Sequence, residues 1–317
     1  MTDRLISIAE SLHASIPSTR RVMDSLHELG PDCFSDKSEP LGEIKKIIQS
    51  QADEGADFIA VNVDAYGEDD PHKTIEYMRE YVKLIKQFGQ GVPPCIDSSN
   101  DDALVAGLKA WYEDNAQAAV PLINSIKTYN ADKLMPLRDK FEYSFIAMLV
   151  AEEKGACPGG VDGADELVGL AKQIFDKAIG YGFKPDQIYY DTTVFPLAID
   201  MPMQPGVPSY THRAFETIRR IKQDPEMAGV HFSLGISNCC RDLPGRKIGI
   251  CRAYVEKAME YGLDAGIVNV FHHYGEKPAD PQLVELVDAF AAIDGDDPAM
   301  TNDAMMKMSQ FCSSFRG

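Results

Sequence analysis

Apolar, β-rich runs recur eight times along this 317-residue chain, and after each one the apolar spacing switches to a helical period. The runs are Leu5–Ala9, Asp57–Val63, Pro94–Asp97, Ala118–Ser125, Phe141–Val150, Gln187–Asp191, Val230–Gly235 and Ala265–Phe271. Helical patterns follow at Leu41–Glu54, His72–Phe88, Asp101–Glu113, Ala131–Arg138, Asp165–Tyr181, Tyr210–Gln223, Lys247–Tyr261 and Pro281–Ala292. Strands that are apolar throughout belong to a parallel sheet covered by helices, and eight strand–helix pairs suit a (β/α)8 TIM barrel. Gly55, Gly89, Gly182 and Gly262 close helical runs shortly before the next strand. An open doubly wound sheet would usually carry a G-x-G-x-x-G turn after its first strand, and the sequence has none. Beyond Asp294 the string GDDPAMTNDAMMKMSQFCSSF predicts one more C-terminal helix, its methionines packed on a neighbour. No linker divides the chain, so one domain over residues 1–317 is expected.

Composition narrows the function. Lys and Arg total 31 against 49 Asp and Glu, a formal charge of −18, which is the wrong sign for binding nucleic acid. No apolar run reaches the roughly 18 residues of a membrane span, and the first residues lack a cleavage pattern, so a cytoplasmic protein is expected. The 7 cysteines are odd in number and contain no C-x-x-C pair, which fits reduced thiols.

In such a barrel, chemistry is carried at the carboxyl ends of the strands. Those ends hold Asn62 and Asp64 after strand two, Asp97, Ser98, Ser99 and Asn100 after three, and Asn124 and Ser125 after four. Asp191 and Thr192 follow strand six, and Ser237 and Asn238 follow strand seven. Each alone could be a helix cap or turn residue. Together, carboxylates and amides with almost no Lys or Arg suit a neutral ligand edge rich in N–H donors, such as an aminopyrimidinone ring. A phosphate ligand would favour a glycine-rich nest or a basic cluster, and there is no P-loop.

The strings GADFIAVNVD, PPCIDSSN, PLINSIK, QIYYDTTVFP and FSLGISNCCRDLPGR, in this order, resemble the pterin-binding barrel family. That family includes dihydropteroate synthase, the folate module of cobalamin-dependent methionine synthase, and methyltetrahydrofolate:corrinoid protein methyltransferase. The similarity runs from about Gly55 to Ala265, and the LG-x-SN string draws it toward the methyltransferases. By position the resemblance assigns Asp97, Asn124 and Asp191 to the pterin ring, with Asn62 matching the Asn of a D-x-N string. Gly235 and Ser237 would line the pterin, Asn238 would sit beside N5 and its methyl group, and Arg246 would lie near the aminobenzoyl-glutamate tail. Asn238 and Asp191 are then the candidates for catalysis. Two positions depart from the pattern: Ala60 replaces the Asp of D-x-N, and strand one reads IAESLHAS where the family has G-E-R-x-N, with Glu10 matching its Glu.

The resemblance implies methyl transfer between tetrahydrofolate, or methyltetrahydrofolate, and a corrinoid (cobalamin) carried by a separate corrinoid protein, in catabolic or one-carbon metabolism. It also implies a homodimer and no bound metal. Three other readings stay open. Cys239–Cys240 resembles the paired Cys of zinc-dependent thiol methyltransferases, with Cys95 or Cys251 as third thiolate. A dihydropteroate synthase-like condensation lacks evident diphosphate-binding Arg and Lys strings, and a non-catalytic binding module would not need this mouth of acids and amides. His272–His273 carries the H-x-x-G half of a corrinoid-binding string, with Val270 in place of its Asp, and packing at the barrel mouth is the competing role.

Overall fold

The computed structural model describes residues 4–35, 37–68, 70–114, 118–150, 163–202 and 204–314. Its eight parallel strands close a barrel in sequence order, the last pairing back onto the first. The strands are β1 (Ile6–His13), β2 (Phe58–Asn62), β3 (Pro94–Asp97), β4 (Leu122–Ile126), β5 (Ser144–Met148), β6 (Ile188–Asp191), β7 (His231–Gly235) and β8 (Ala265–Val268). Around them run α1 (Pro17–His27), α2 (Glu39–Asp53), α3 (Pro71–Phe88), α4 (Asp101–Tyr112), α5 (Ala131–Leu134), α6 (Gly163–Gly180), α7 (Tyr210–Gln223), α8 (Lys247–Tyr261), α9 (Pro281–Ala291) and α10 (Pro298–Ser313).

Departures from the sequence pattern have local causes. Pro121 has no N–H to give a ladder, and β4 begins after it. The fifth run extends as strand only from Ser144 to Met148; ahead of it, the Tyr143 hydroxyl donates to the Leu134 carbonyl at 2.7 Å. β8 ends at Val268 because Asn269 accepts the Phe271 N–H and turns the chain. Pro136 stops the helix that was expected to reach Arg138, leaving α5 and a 3-10 turn. Helix α1 was not anticipated: Pro17 opens it, and Thr19, Met23 and Leu26 give it one buried face. In α10 the buried face is Ala304, Met308 and Phe311, while Met300, Met305 and Met306 are exposed, so the methionine run does not pack as a whole.

Along a strand, successive side chains point to opposite faces. Outward residues such as Ile59, Ile96, Ile123, Phe145, Tyr190 and Phe232 pack into the helical shell. Helix α4 approaches β3 so closely that a Cβ on Gly107 would lie 2.6 Å from Ile96 Cγ2. Inward residues Ile8, Ala60, Cys95, Leu122, Ile146, Tyr189 and Ala265 form a separate apolar plug inside the barrel. Two residues further along each strand, the inward positions become Glu10, Asn62, Asp97, Asn124, Met148 and Asp191, with Gly235 on β7. The polar layer therefore lies directly above the plug, at the carboxyl ends of the strands.

The opposite end is tied by Asp264, just before β8. It accepts from Lys222 Nζ of α7 at 2.7 Å and from the Phe232 N–H at 2.8 Å, and lies 3.0 Å from His231 Nδ1. Burial opposes its charge, but His231 and Lys222 outweigh it and hold the carboxyl below the usual range. Asp264→Ala leaves the Phe232 N–H without its acceptor and the Lys222 ammonium with the Val230 carbonyl but no carboxylate, and is expected to cost about 2–4 kcal/mol. The measurement is the urea midpoint at pH 7; an unchanged midpoint would show that the network carries no stability.

Candidate functional site

The strand-end residues sort into two groups, one holding loops and one facing the mouth. Asp64 accepts from the hydroxyl of Ser98 and from both the N–H and the hydroxyl of Ser99, the last two at 2.7 Å. Asn100 caps α4 by accepting from the Asp102 and Ala103 N–H groups, and Ser98 accepts the Asn100 N–H. These residues fasten the loop after β2 to the loop after β3. Asn130, in the turn before α5, is likewise structural, donating to Asp101 at 2.9 Å and to the Ser125 carbonyl at 3.2 Å.

Asp97 plays no part in capping. Its carboxylate faces inward, pairs across the ladder with Asn124, and accepts from Asn62 Nδ2 at 3.1 Å. Burial raises its pKa, the Asn62 bond lowers it, Asp64 raises it, Lys127 lowers it and Asp191 raises it, and the result is pushed up to about 7. Asn62 is itself fixed, because its Oδ1 accepts the Asp64 N–H at 3.1 Å. Asn124 is 8% exposed, and its side-chain amide has no hydrogen bond to another described residue. Asp191, 7% exposed, accepts the Thr193 N–H at 2.6 Å, which Thr193 delivers from the left-handed region at φ 64°. Burial nevertheless pushes Asp191 up to about 6.

Across the mouth, the chain after β7 makes a 3-10 turn over Ile236–Cys240. Gly235 enters it with open space where a Cβ would stand. Ser237 is exposed, and its hydroxyl lies 3.4 Å from Glu10 Oε2. Asn238 donates from Nδ2 to the Val194 carbonyl beyond β6, which pins the amide and leaves its second N–H and its oxygen available.

Asn62, Asp97, Asn124, Asp191, Gly235, Ser237 and Asn238 thus all lie at the carboxyl-end rim of the barrel. Arg246 lies further out: it precedes α8 and pairs with Asp280 at the start of α9. Two groups at the rim were not singled out as site residues from the sequence. Glu10 occupies the inward period after Ile6 and Ile8, a signal readable in the pattern. Lys127, within the string PLINSIK, corrects the expectation of a mouth almost without cations. Burial holds its pKa below the usual lysine value against the pull of Asp101, Asp97 and Asp64.

The paired cysteines are buried beside the rim. Cys239 Sγ lies 3.8 Å from Cys251 Sγ, Cys240 Sγ donates to the Ser237 carbonyl at 3.2 Å, and Cys95 is part of the apolar plug. Burial pushes the Cys239 thiol up. Cys33, Cys95, Cys239, Cys240, Cys251 and Cys312 are free, and Cys157 lies outside the described residues. Among the described residues no group of His, Cys, Asp and Glu is placed to hold a metal ion, and no helix is long and apolar enough to cross a membrane. His272 Nδ1 is 2.8 Å from the Tyr274 hydroxyl, and His273 Nε2 is 2.9 Å from Glu54.

A family described as "Pterin binding enzyme" matches residues 28–269. Among solved structures, the chain is similar to Mycobacterium tuberculosis Rv1207, at 14% identity and TM-score 0.47 over 94% of this chain and 96% of that one. It is also similar to a Coxiella burnetii dihydropteroate synthase in complex with pteroic acid, at 12% identity and TM-score 0.48 over 91% of each chain. A third similarity is to Plasmodium falciparum HPPK-DHPS, at 11% identity and TM-score 0.48 over 97% of this chain and 51% of that one.

The raised carboxyls have a consequence for stability. Asp97 holds its proton more tightly when folded than when unfolded, so its contribution falls as pH rises from about 4 through about 7. Asp97→Asn removes that penalty and still accepts from Asn62. The variant is expected to melt about 2–4 °C above the parent at pH 7.5, with the gap closing near pH 4. Calorimetry at the two pH values decides; equal melting temperatures at pH 7.5 would show that Asp97 ionises at no cost.

Proposed function

The chain belongs to the pterin-binding enzymes, and on that premise we propose that it is a methyltransferase moving a methyl group between N5 of tetrahydrofolate and a corrinoid protein. The observation that carries this reading is the inward layer Asn62–Asp97–Asn124–Asp191 above an apolar plug, with Asn238 on the facing loop. The amino and ring N–H groups of a pterin donate to a carboxylate, and its carbonyl and ring nitrogens take amide donors. Asp97 supplies the first and the side chains of Asn62 and Asn124 the second, while the apolar plug below excludes water from the ring edge.

Transfer breaks the N5–methyl bond and leaves an electron pair on nitrogen, so only contacts that tighten as this charge develops speed the step. Asn238, held through Val194, offers N5 an N–H or an oxygen without titrating. Asp191 polarises the ring. Gly235 and Ser237 leave room beside the pterin face, and Arg246 reaches the glutamate tail by exchanging Asp280 for the ligand's carboxylate. The corrinoid, on its own protein, enters as the other substrate and supplies a strong nucleophile. A dihydropteroate synthase-like condensation expels diphosphate, whose charge calls for several cations; the described inward layer itself holds no Lys or Arg, while Lys127 stands at the rim beyond β4 and Arg246, in the loop after β7, is paired with Asp280.

The test follows the corrinoid spectrum during methyl transfer from methyltetrahydrofolate. Asn238→Ala is expected to lower the rate about 10²-fold while changing folate affinity by less than about threefold. Equal losses in rate and affinity would remove Asn238 from the chemistry, and absence of transfer by the parent protein would overturn the reading.

A further inference from the structure

We propose that Glu10 is the acid that delivers the proton to N5 of the pterin as the methyl group leaves, an inference that rests on the methyl-transfer reading. Its position follows from the strand. Ile6 and Ile8 pack inside the barrel, and the next inward residue of β1 is Glu10. The ladder to β2 pairs Ala9 with Ile59 and then Leu12 with Val61, so two residues of β1 stand against one of β2. Such a bulge re-aims a side chain. This one is fixed from outside, because the Ser11 N–H donates to Gln51 Oε1 at 2.9 Å and the Ser11 carbonyl accepts from Thr19 Oγ1 at 2.9 Å.

The location matches the chemistry. Asp97 and Asn124 lie on β3 and β4, and the Glu10 carboxyl lies against Ser237, the neighbour of Asn238, on the loop after β7. A pterin gripped at its pyrimidinone edge by Asp97 extends across the mouth and brings its second ring, with N5, toward Glu10. The three inward carboxyls also differ in what they can spare. Asp97 takes the Asn62 amide and the ligand edge, and Asp191 takes the Thr193 N–H. Glu10 has the Ser237 hydroxyl and no ion pair to a described Lys or Arg. Burial pushes it up to about 7, against a lowering by the Ser237 hydroxyl. A carboxyl that remains partly protonated at neutral pH suits proton donation to an amine.

The step balances. The N5–methyl bond breaks with its electron pair remaining on nitrogen, and the methyl passes to the nucleophile of the corrinoid protein. The Glu10 O–H bond breaks, its proton forms the new N5–H bond, and the carboxylate regains a proton from solvent after product leaves. In the reverse direction Glu10 removes that proton.

Other ionisable groups share the rim and must be separated from Glu10. They are His13 further along β1, Asp64 beyond β2, Asp97 on β3, Lys127 beyond β4, Asp191 on β6, Cys240 beyond β7 and His272 beyond β8. The experiment therefore compares the parent, Glu10→Gln and Glu10→Asp across pH 5.5 to 8.5, reading methyl transfer by the corrinoid spectrum and methyltetrahydrofolate affinity by calorimetry. In the parent, the rate is expected to fall as pH rises through about 7. Glu10→Gln should lower the rate about 10²-fold at pH 6.5 and abolish that limb, with affinity within about threefold, which also shows that the site is folded. Glu10→Asp should keep the limb and part of the rate. An unchanged limb in Glu10→Gln, or a rate within about threefold of the parent, would overturn the role of Glu10 while leaving the methyl-transfer reading intact. A parent that binds the folate but transfers no methyl would overturn both.

Discussion

Burying a carboxyl without a cation is costly, because the charged form gives up its hydration and receives little in return. In this barrel three carboxyls stand on one inward level with no ion pair to a described residue, Lys127 acting on Asp97 through its charge alone, and burial leads the causes that push Glu10 and Asp97 up to about 7 and Asp191 up to about 6. The level is imposed by the two-residue period of the strands. Below it the same faces carry Ile8, Ala60, Cys95, Leu122, Ile146 and Tyr189, an apolar plug that keeps water out from beneath. N–H donors of a ligand arriving at those oxygens would relieve that cost.

The remaining polar residues of the rim hold this arrangement in place. Asp64 collects the Ser98 and Ser99 donors, and its own N–H orients Asn62, whose amide then points at Asp97. Val194 similarly fixes Asn238, and Ser11 is anchored by Gln51 and Thr19 behind Glu10. Asn62, Asn238, Asp191 and the β1 bulge behind Glu10 are thus held by neighbours that do not face the ligand, which limits the reorganisation needed when charge shifts during a reaction. The charged network around Asp264 ties together the amino-terminal ends of β7 and β8, at the other end of the barrel.

Much of this was legible in the sequence because it is periodic. The eight apolar runs gave the barrel, and Asp97, Asn124 and Asp191 fall on the inward beat of their strands. What escaped depends on the third dimension. Helix α1 is held by three buried residues, Thr19, Met23 and Leu26, too few to stand out as a pattern. The split of residues 131–139 between α5 and a 3-10 turn hinges on one proline. Lys127 reads as an ordinary turn lysine until Asp97 and Asp64 are seen to lie close enough to act on its charge. Arg246 shows the converse: its spacing from Asn238 fits a tail-binding role, yet its guanidinium is turned to Asp280. Glu10 could have been counted inward from Ile6 and Ile8, but its lack of an ion-pair partner among the described residues, which gives it interest, is visible only after folding.

The most direct measurement of the central claim is a crystal structure of the protein soaked with methyltetrahydrofolate. The account predicts the pterin lying across the strand ends, its amino and ring N–H groups within hydrogen-bond distance of the Asp97 carboxylate and its N5 turned toward the loop that carries Asn238. A ligand seated at the Asp264 end of the barrel, or a mouth in which the pterin edge meets neither Asp97 nor Asp191, would contradict it.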